Sequence, residues 1–243
     1  MSTAAQSIRE IVTLRPSAAG IFHRFDIDLC IQADQSLEAA CRQLQLSVDQ
    51  VLEKLADAER IESGRDTFDP ENLPVGRLIR HIVRTHHYRV RHELPSLAAM
   101  ASKLAAKRSD RAPELLKVAE LVEELRAEMY AHIEKEEQVL FPFISQMDQE
   151  ARIDYPPAHP CFRSVAHPIF ILEQEHESAS QIMAELIRLT DHFEPPARTC
   201  ATHLALFVGL REFEADLRQH VHLENDILFP RSIQLETELK ARS

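Results

Sequence analysis

His132-Ile-Glu-Lys-Glu136-Glu-Gln-Val-Leu140-Phe141-Pro142 and His220-Val-His-Leu-Glu224-Asn-Asp-Ile-Leu228-Phe229-Pro230 are two copies of one pattern, His-x3-Glu-x2-(Val/Ile)-Leu-Phe-Pro. At about 100° per residue, a spacing of four sets the His and the Glu one turn apart on one face of a helix, and the Val or Ile at plus seven continues that face along a core. Two ionisable side chains therefore point where apolar ones belong. A single occurrence would be read as an exposed helix-face pair worth a few tenths of a kcal/mol. Duplication with the same Leu-Phe-Pro ending argues for a shared buried task. Two buried carboxylates beside histidines are tolerable when they pair or coordinate a cation. Carboxylate oxygens can bridge two ions while imidazoles fill terminal positions, a set that suits iron in helix-bundle cores, whereas zinc more often takes fewer ligands in a tetrahedron.

The same face argument finds partners on two further helices. His176 sits among Ile169, Leu172, Ile182 and Met183, and His87 follows the apolar positions of Leu78-Ile-Arg-His-Ile-Val. His81, His86, His92 and His222 are offset from those faces and are read as solvated or capping. His159 and His167, in a proline-bearing stretch, are candidates for an entrance to the site.

Four long amphipathic segments carry these residues, about 75–108, 113–147, 168–192 and 199–239, with apolar side chains at three and four spacings as in Leu116, Val118, Leu121, Leu125 and Met129. Four such stripes close on one core, and up-down-up-down topology is the simplest solution. The long connection 148–167, with Pro156, Pro157 and Pro160, reads as a crossover or lid. Ahead of these lies a small helical domain, residues 1–62, with helices expected at 8–14, 17–25, 36–44 and 47–58 and with Ser36 and Ser47 as N-caps. A polar, proline-bearing linker separates it from the bundle at 74–240.

Composition agrees. Among 243 residues there are 4 Gly, too few for a Gly-punctuated sheet protein, so the fold class is all-α. A formal charge of −11 repels phosphate backbones and anionic lipid, which argues against nucleic-acid or membrane partners. No apolar signal core and no run of about 18 apolar residues occurs, so a cytoplasmic location is expected. Cys30, Cys41, Cys161 and Cys200 form no Cys-x-x-Cys pair, which removes zinc-ribbon and dithiol motifs; Cys41, Cys161 and Cys200 are expected as small buried hydrophobes.

Taken together the residues resemble the repair-of-iron-centres family, whose members join a small N-terminal domain to a hemerythrin-like four-helix bundle. The resemblance runs through Phe25-Asp-Ile-Asp-Leu-Cys30, Leu78-Ile-Arg-His-Ile-Val, Glu93-Leu-Pro, Glu136-Glu-Gln-Val-Leu-Phe-Pro, Glu175-His176 and Leu223-Glu-Asn-Asp-Ile-Leu-Phe-Pro-Arg231, nearly the whole chain. It implies metal ligands at His87, His132, Glu136, His176, His220 and Glu224, with the glutamates bridging two non-haem irons. It also implies repair of iron–sulfur clusters damaged by nitric oxide or peroxide, with the damaged proteins as partners. A module that only binds nitric oxide or dioxygen, without turnover, is the alternative reading. A homodimer is compatible with either.

Two departures from the family pattern set further expectations. A histidine that the family carries late in the first bundle helix falls, by gapless counting, on Arg108, so one iron is expected to be under-ligated. The family's adjacent cysteine pair is reduced to Cys30 followed by Ile31.

Overall fold

The computed structural model describes residues 3–15, 18–27, 32–63, 69–151, 164–196 and 199–242. Cys30, Cys161 and His159 lie outside the described residues, as do residues 64–68 of the expected linker and 152–163 of the expected crossover. The described chain is all-α: a small N-terminal set of helices followed by a four-helix bundle.

The N-terminal set is α1 (Ile8–Leu14), α2 (Ala18–Arg24), α3 (Leu37–Gln43) and α4 (Val48–Ser63). Ser7 caps α1 in a capping box with Glu10, and the Ser36 hydroxyl accepts from the Ala39 N–H at the start of α3. The Ser47 hydroxyl accepts from the Gln50 N–H ahead of α4.

The first bundle run is α5 (Val75–Ile82), α6 (Tyr88–His92) and α7 (Leu94–Arg108), and the second is α8 (Glu114–Lys135) and α9 (Phe141–Glu150). The third is α10 (Ala166–Leu189), and the fourth is α11 (Ala201–His222) and α12 (Phe229–Arg242). Three of the four runs are interrupted by π-helical turns, at Val83–His87, Glu136–Leu140 and Leu223–Leu228. The last two precede Pro142 and Pro230 closely. A proline inside a helix has no N–H to donate and its ring crowds the carbonyl four residues back. The run takes up an extra residue there, and Phe141 and Phe229 donate to the carbonyls five residues back, Glu136 O and Glu224 O. Such turns recur at functional sites.

The described chain packs as two compact units. One comprises residues 1–68, 92–123 and 184–215, and its core includes Ile8, Phe22, Leu37, Leu94, Leu104 and Phe213. Within it Leu97 presses on α11, where a Cβ at Gly209 would stand 2.6 Å from Leu97 Cδ2, so a larger residue there would force the Leu97 side chain to shift. The other comprises residues 69–91, 124–183 and 216–243, with Leu78, Ile82, Leu125, Ile133, Leu172 and Leu228 buried. Arg231 holds the segment before α5 by donating to Leu73 O at 2.8 Å.

Two apolar positions differ from the periodicity. Leu116 is exposed on α8, and Val139, expected to extend the core face, is 46% exposed although its counterpart Ile227 is buried. The π turn explains the second difference. It begins at plus four from His132 but at plus three from His220, so seven residues no longer return to the same face.

Candidate metal centre

All four bundle runs contribute to one buried cluster in the second unit. His87 ends its π turn, His132 and Glu136 span the end of α8 and the next turn, His176 lies in mid α10, and His220 and Glu224 span the end of α11 and the third turn. None of the six exceeds 1% exposure. These are the six residues singled out in the sequence, and the fold brings every one of them together.

The imidazole Nε2 atoms converge on the carboxylates. His87 Nε2 and His132 Nε2 lie 3.2 and 3.3 Å from Glu136 Oε2. His220 Nε2 lies 3.0 Å from Glu224 Oε1 and His176 Nε2 3.1 Å from Glu224 Oε2, with His87 Nε2 3.8 Å from Glu224 Oε1. Two four-residue groups emerge, His132, His176, His220 and Glu224, and His87, Glu136, His220 and Glu224. Glu136 touches a histidine of each group, and Glu224 belongs to both, which is the placement a bridging carboxylate requires.

The Nδ1 atoms face outward onto polar partners that fix each ring. His87 Nδ1 meets Glu137 Oε1 at 2.7 Å, and Arg91 meets the same oxygen at 2.7 Å. His132 Nδ1 meets Glu175 Oε2 at 3.1 Å, and Lys135 bonds the other oxygen of that carboxylate. His176 Nδ1 meets Asn225 Oδ1 at 2.9 Å. Phe141 stacks on His87 and Phe229 on His176, each ring nearly parallel to its partner. The repeated motif thus has a job for each part: histidine and glutamate enter the cluster, the following Glu137 or Asn225 orients a histidine on another run, the phenylalanine walls that same histidine, and the proline follows the turn.

The fit to a metal can be tested on the donors themselves. His132 and His176 offer Nδ1–H to Glu175 and Asn225, so in neutral rings their Nε2 lone pairs face each other 2.9 Å apart, a repulsion only a shared proton or a cation removes. The Nε2 atoms of His87 and His220 and all four carboxylate oxygens of Glu136 and Glu224 are buried without a hydrogen bond, although they crowd within a few ångströms of one another. Groups that close, yet misaligned for one another, are aimed at the space between them. Four imidazoles and two carboxylates fit iron in that space.

Without a metal, protons must compensate the charge. Burial disfavours the charged form of His87, but the surrounding carboxylates of Glu136, Glu137 and Glu224 outweigh it and raise the imidazole to about 11. His132 is opposed by burial and raised to about 10 by Glu136 and by its bond to Glu175. The reciprocal bonds from His87 and His132 hold Glu137 and Glu175 down at about 2. For Glu224, burial is overcome by His220, His176 and His87, which hold it well below the carboxylate range. Burial outweighs the pull of Glu224 on His220 and pushes its imidazole down.

Sequence reasoning missed the orienting residues Glu137, Glu175 and Asn225, and the signal was their adjacency to the motif glutamates and to His176. It also misplaced His86. That ring is wholly buried, parallel to His220 with centroids 5.5 Å apart, and its Nδ1 lies 3.1 Å from Asp216 Oδ1. Burial opposes ionisation of Asp216, but His86 and Arg89 hold it below the ordinary range. His92, His167 and His222 are exposed, and His81 is half-buried with its ring edge-on to His86. Cys41 is buried and Cys200 half-buried. Position 108 gives nothing to either group: Arg108 is exposed and belongs to the first unit, and each group has four donors without it.

Comparison with known proteins places this geometry. Residues 78–232 match the Hemerythrin HHE cation binding domain, and residues 4–59 match a domain of unknown function named for the N-terminus of ScdA. A probable iron-sulfur cluster repair protein of Haemophilus influenzae is 33% identical over 231 residues, 95% of this chain and 98% of that one. The iron-sulfur cluster repair proteins YtfE of Enterobacter sp. and Yersinia pseudotuberculosis are each 32% identical, over 94% and 95% of this chain and 96% and 98% of theirs.

Proposed function

The chain belongs to the hemerythrin HHE cation-binding family and, within it, to the iron–sulfur cluster repair proteins, and from that premise we propose that it is a non-haem di-iron protein that repairs clusters damaged by nitrosative or oxidative stress. The observation that carries the reading is the set of buried, inward-facing nitrogens and oxygens that lack hydrogen bonds. His87, His132, Glu136, His176, His220 and Glu224 are the proposed ligands, with Glu136 and Glu224 shared between two irons. When bound, the iron pair supplies redox-active metal that can be handed to a damaged cluster or can capture nitric oxide. The protein's own residues do the rest: Glu137, Glu175 and Asn225 hold three imidazoles with Nε2 inward, and Phe141 and Phe229 wall two of them from water.

Damaged iron–sulfur proteins in the cytoplasm are the proposed partners, with nitric oxide or dioxygen as small ligands and a homodimer as the assembly. Residues 1–62 are proposed as a domain that engages the client or brings Cys30 to it, and 74–240 as the iron-bearing bundle. The test is anaerobic mixing with an iron–sulfur enzyme whose cluster nitric oxide has destroyed. Iron-loaded protein should restore its activity and iron-free protein should not. Failure of the loaded protein, alongside tight nitric oxide binding, would replace repair with gas binding.

A further inference from the structure

His86 is wholly buried, yet neither four-donor group includes it. Its ring lies flat against His220 with 5.5 Å between centroids, nearly as close as His87, whose centroid is 5.1 Å from the same ring, and His81 meets it edge-on. Behind it stands Asp216, buried, with Oδ1 3.1 Å from His86 Nδ1, and Arg89 lies 3.5 Å from that oxygen. A carboxylate backed by a cation also stands behind His87, as Glu137 and Arg91, and behind His132, as Glu175 and Lys135. His86 therefore has the outer arrangement of a metal ligand without a place in either group. Its Nε2 is buried with no hydrogen bond, and its contact with Asp216 is off hydrogen-bond alignment, so both ring nitrogens are unused and the ring is held near the carboxylate without being locked to it.

The backbone offers a way to exchange the two neighbours. His86 and His87 are the last residues of the π turn Val83–His87, and the Tyr88 N–H that closes it is shared between Val83 O, five residues back, and Thr85 O, three back. In the other two turns Phe141 and Phe229 each donate to one carbonyl, and Pro142 and Pro230 follow and fix where the extra residue sits. The first turn has no such proline, and a slip of its extra residue by one position rotates the segment by about 100°, the angle between adjacent side chains. We propose that His86 is an alternate iron ligand, brought to the metal in place of His87 by that slip, and that the His86-held form is the one that gives up its iron. The proposal rests on the di-iron reading above and adds a release step to it. One Nε2 lone pair replaces another, so a single iron–nitrogen bond forms as one breaks, and no electron or proton is transferred. His87 is the stronger holder because Glu137 grips its Nδ1 in an aligned bond of 2.7 Å, whereas Asp216 supports His86 without alignment.

The test is the rate at which anaerobically reconstituted, full-length protein yields ferrous iron to excess ferrozine, with iron content and circular dichroism measured alongside. His86→Gln, confined to the His87-held form, should load as fully as wild type and release iron several-fold more slowly. His87→Ala, confined to the His86-held form, should still load but release at least about ten-fold faster. The double variant should lose the iron of that group. A packing role for His86 predicts the opposite sign, because loosening the wall behind His220 speeds release. Faster or unchanged release from His86→Gln, or loss of its helix content, overturns the proposal, as does a His87→Ala protein that holds iron no better than the double variant. Wild type that takes up no iron refutes the di-iron reading itself, so the wild-type iron content tells the two failures apart.

Discussion

Glu137 and Glu175 never enter the cluster, yet each grips an imidazole from behind while a surface cation grips it in turn. A carboxylate so placed fixes the ring and makes its inner nitrogen a better donor, and loss of such a partner typically costs about 10–100-fold in metal affinity. Glu137→Gln should therefore weaken iron binding within that range, measured by chelator competition, while circular dichroism stays unchanged; an unaltered affinity would show that Glu137 serves Arg91 alone. Removing a ligand goes further: His220→Ala should lower iron content and melting temperature together, because metal bound to the native state adds to its stability. The pH response divides by loading state. In metal-free protein the depressed carboxylates Glu137 and Glu175 contribute stability that is complete above their ordinary 4.5 and lost as pH falls through about 2. The raised imidazoles His87 and His132 contribute stability that is complete below 6.5 and lost as pH rises through about 11 and about 10. Metal-free protein should thus be most stable between these ordinary values, whereas ligation displaces protons and strengthens with pH. Calorimetry should show the melting temperatures of loaded and metal-free protein drawing apart above pH 7; a constant gap would refute the proton compensation. At this scale the six cluster residues were legible: spacing puts the His and the Glu of each motif copy on one face, the apolar stripes pointed to His87 and His176, and the family resemblance implied all six as one set. Their orienting partners were not, because each lies on a different run and only the packing decides which imidazole it meets.

The elements explain why one histidine was misread. Counting from His87 at about 100° per residue places His86 off the buried face, but a π turn ends at His87 and advances less per residue, so both adjacent rings fall inside. Pro142 and Pro230 mark two of the three turns in the sequence, but no proline follows the turn at Val83–His87 closely, and nothing local announces it. Helix caps at Ser36 and Ser47 and the extents of the four long runs were legible, being local matters of side-chain acceptors and apolar period. Deleting Gln138, exposed within the second turn, should restore regular hydrogen bonding and rotate everything after it by about 100°. Phe141 would leave His87, and Glu136 would lose the turn that its carbonyl closes. The expected variant keeps its far-ultraviolet helix signal and loses its iron; retention of a full complement by elemental analysis would show that the turn is incidental to the site.

At the scale of the whole molecule, iron stoichiometry follows from donors that every bundle run supplies. Anaerobic reconstitution should bring the protein to two irons per chain with a magnetically coupled spectrum, and Arg108→His should leave that number unchanged, since each four-donor group forms without position 108. A plateau at one iron with no coupling would make the centre mononuclear. Among the described residues no helix is long and apolar enough to cross a membrane. The donors also have an order in time. His87 emerges first from the ribosome and Glu224, shared by both groups, last, after three bundle runs have already been made. A growing chain holds histidines and one glutamate but cannot close the centre until the fourth run is released, so loading belongs to the finished polypeptide. A prematurely terminated copy lacking Glu224 would carry the unpaired polar groups without the cation that reconciles them, leaving it the less stable product and the readier one for proteolysis.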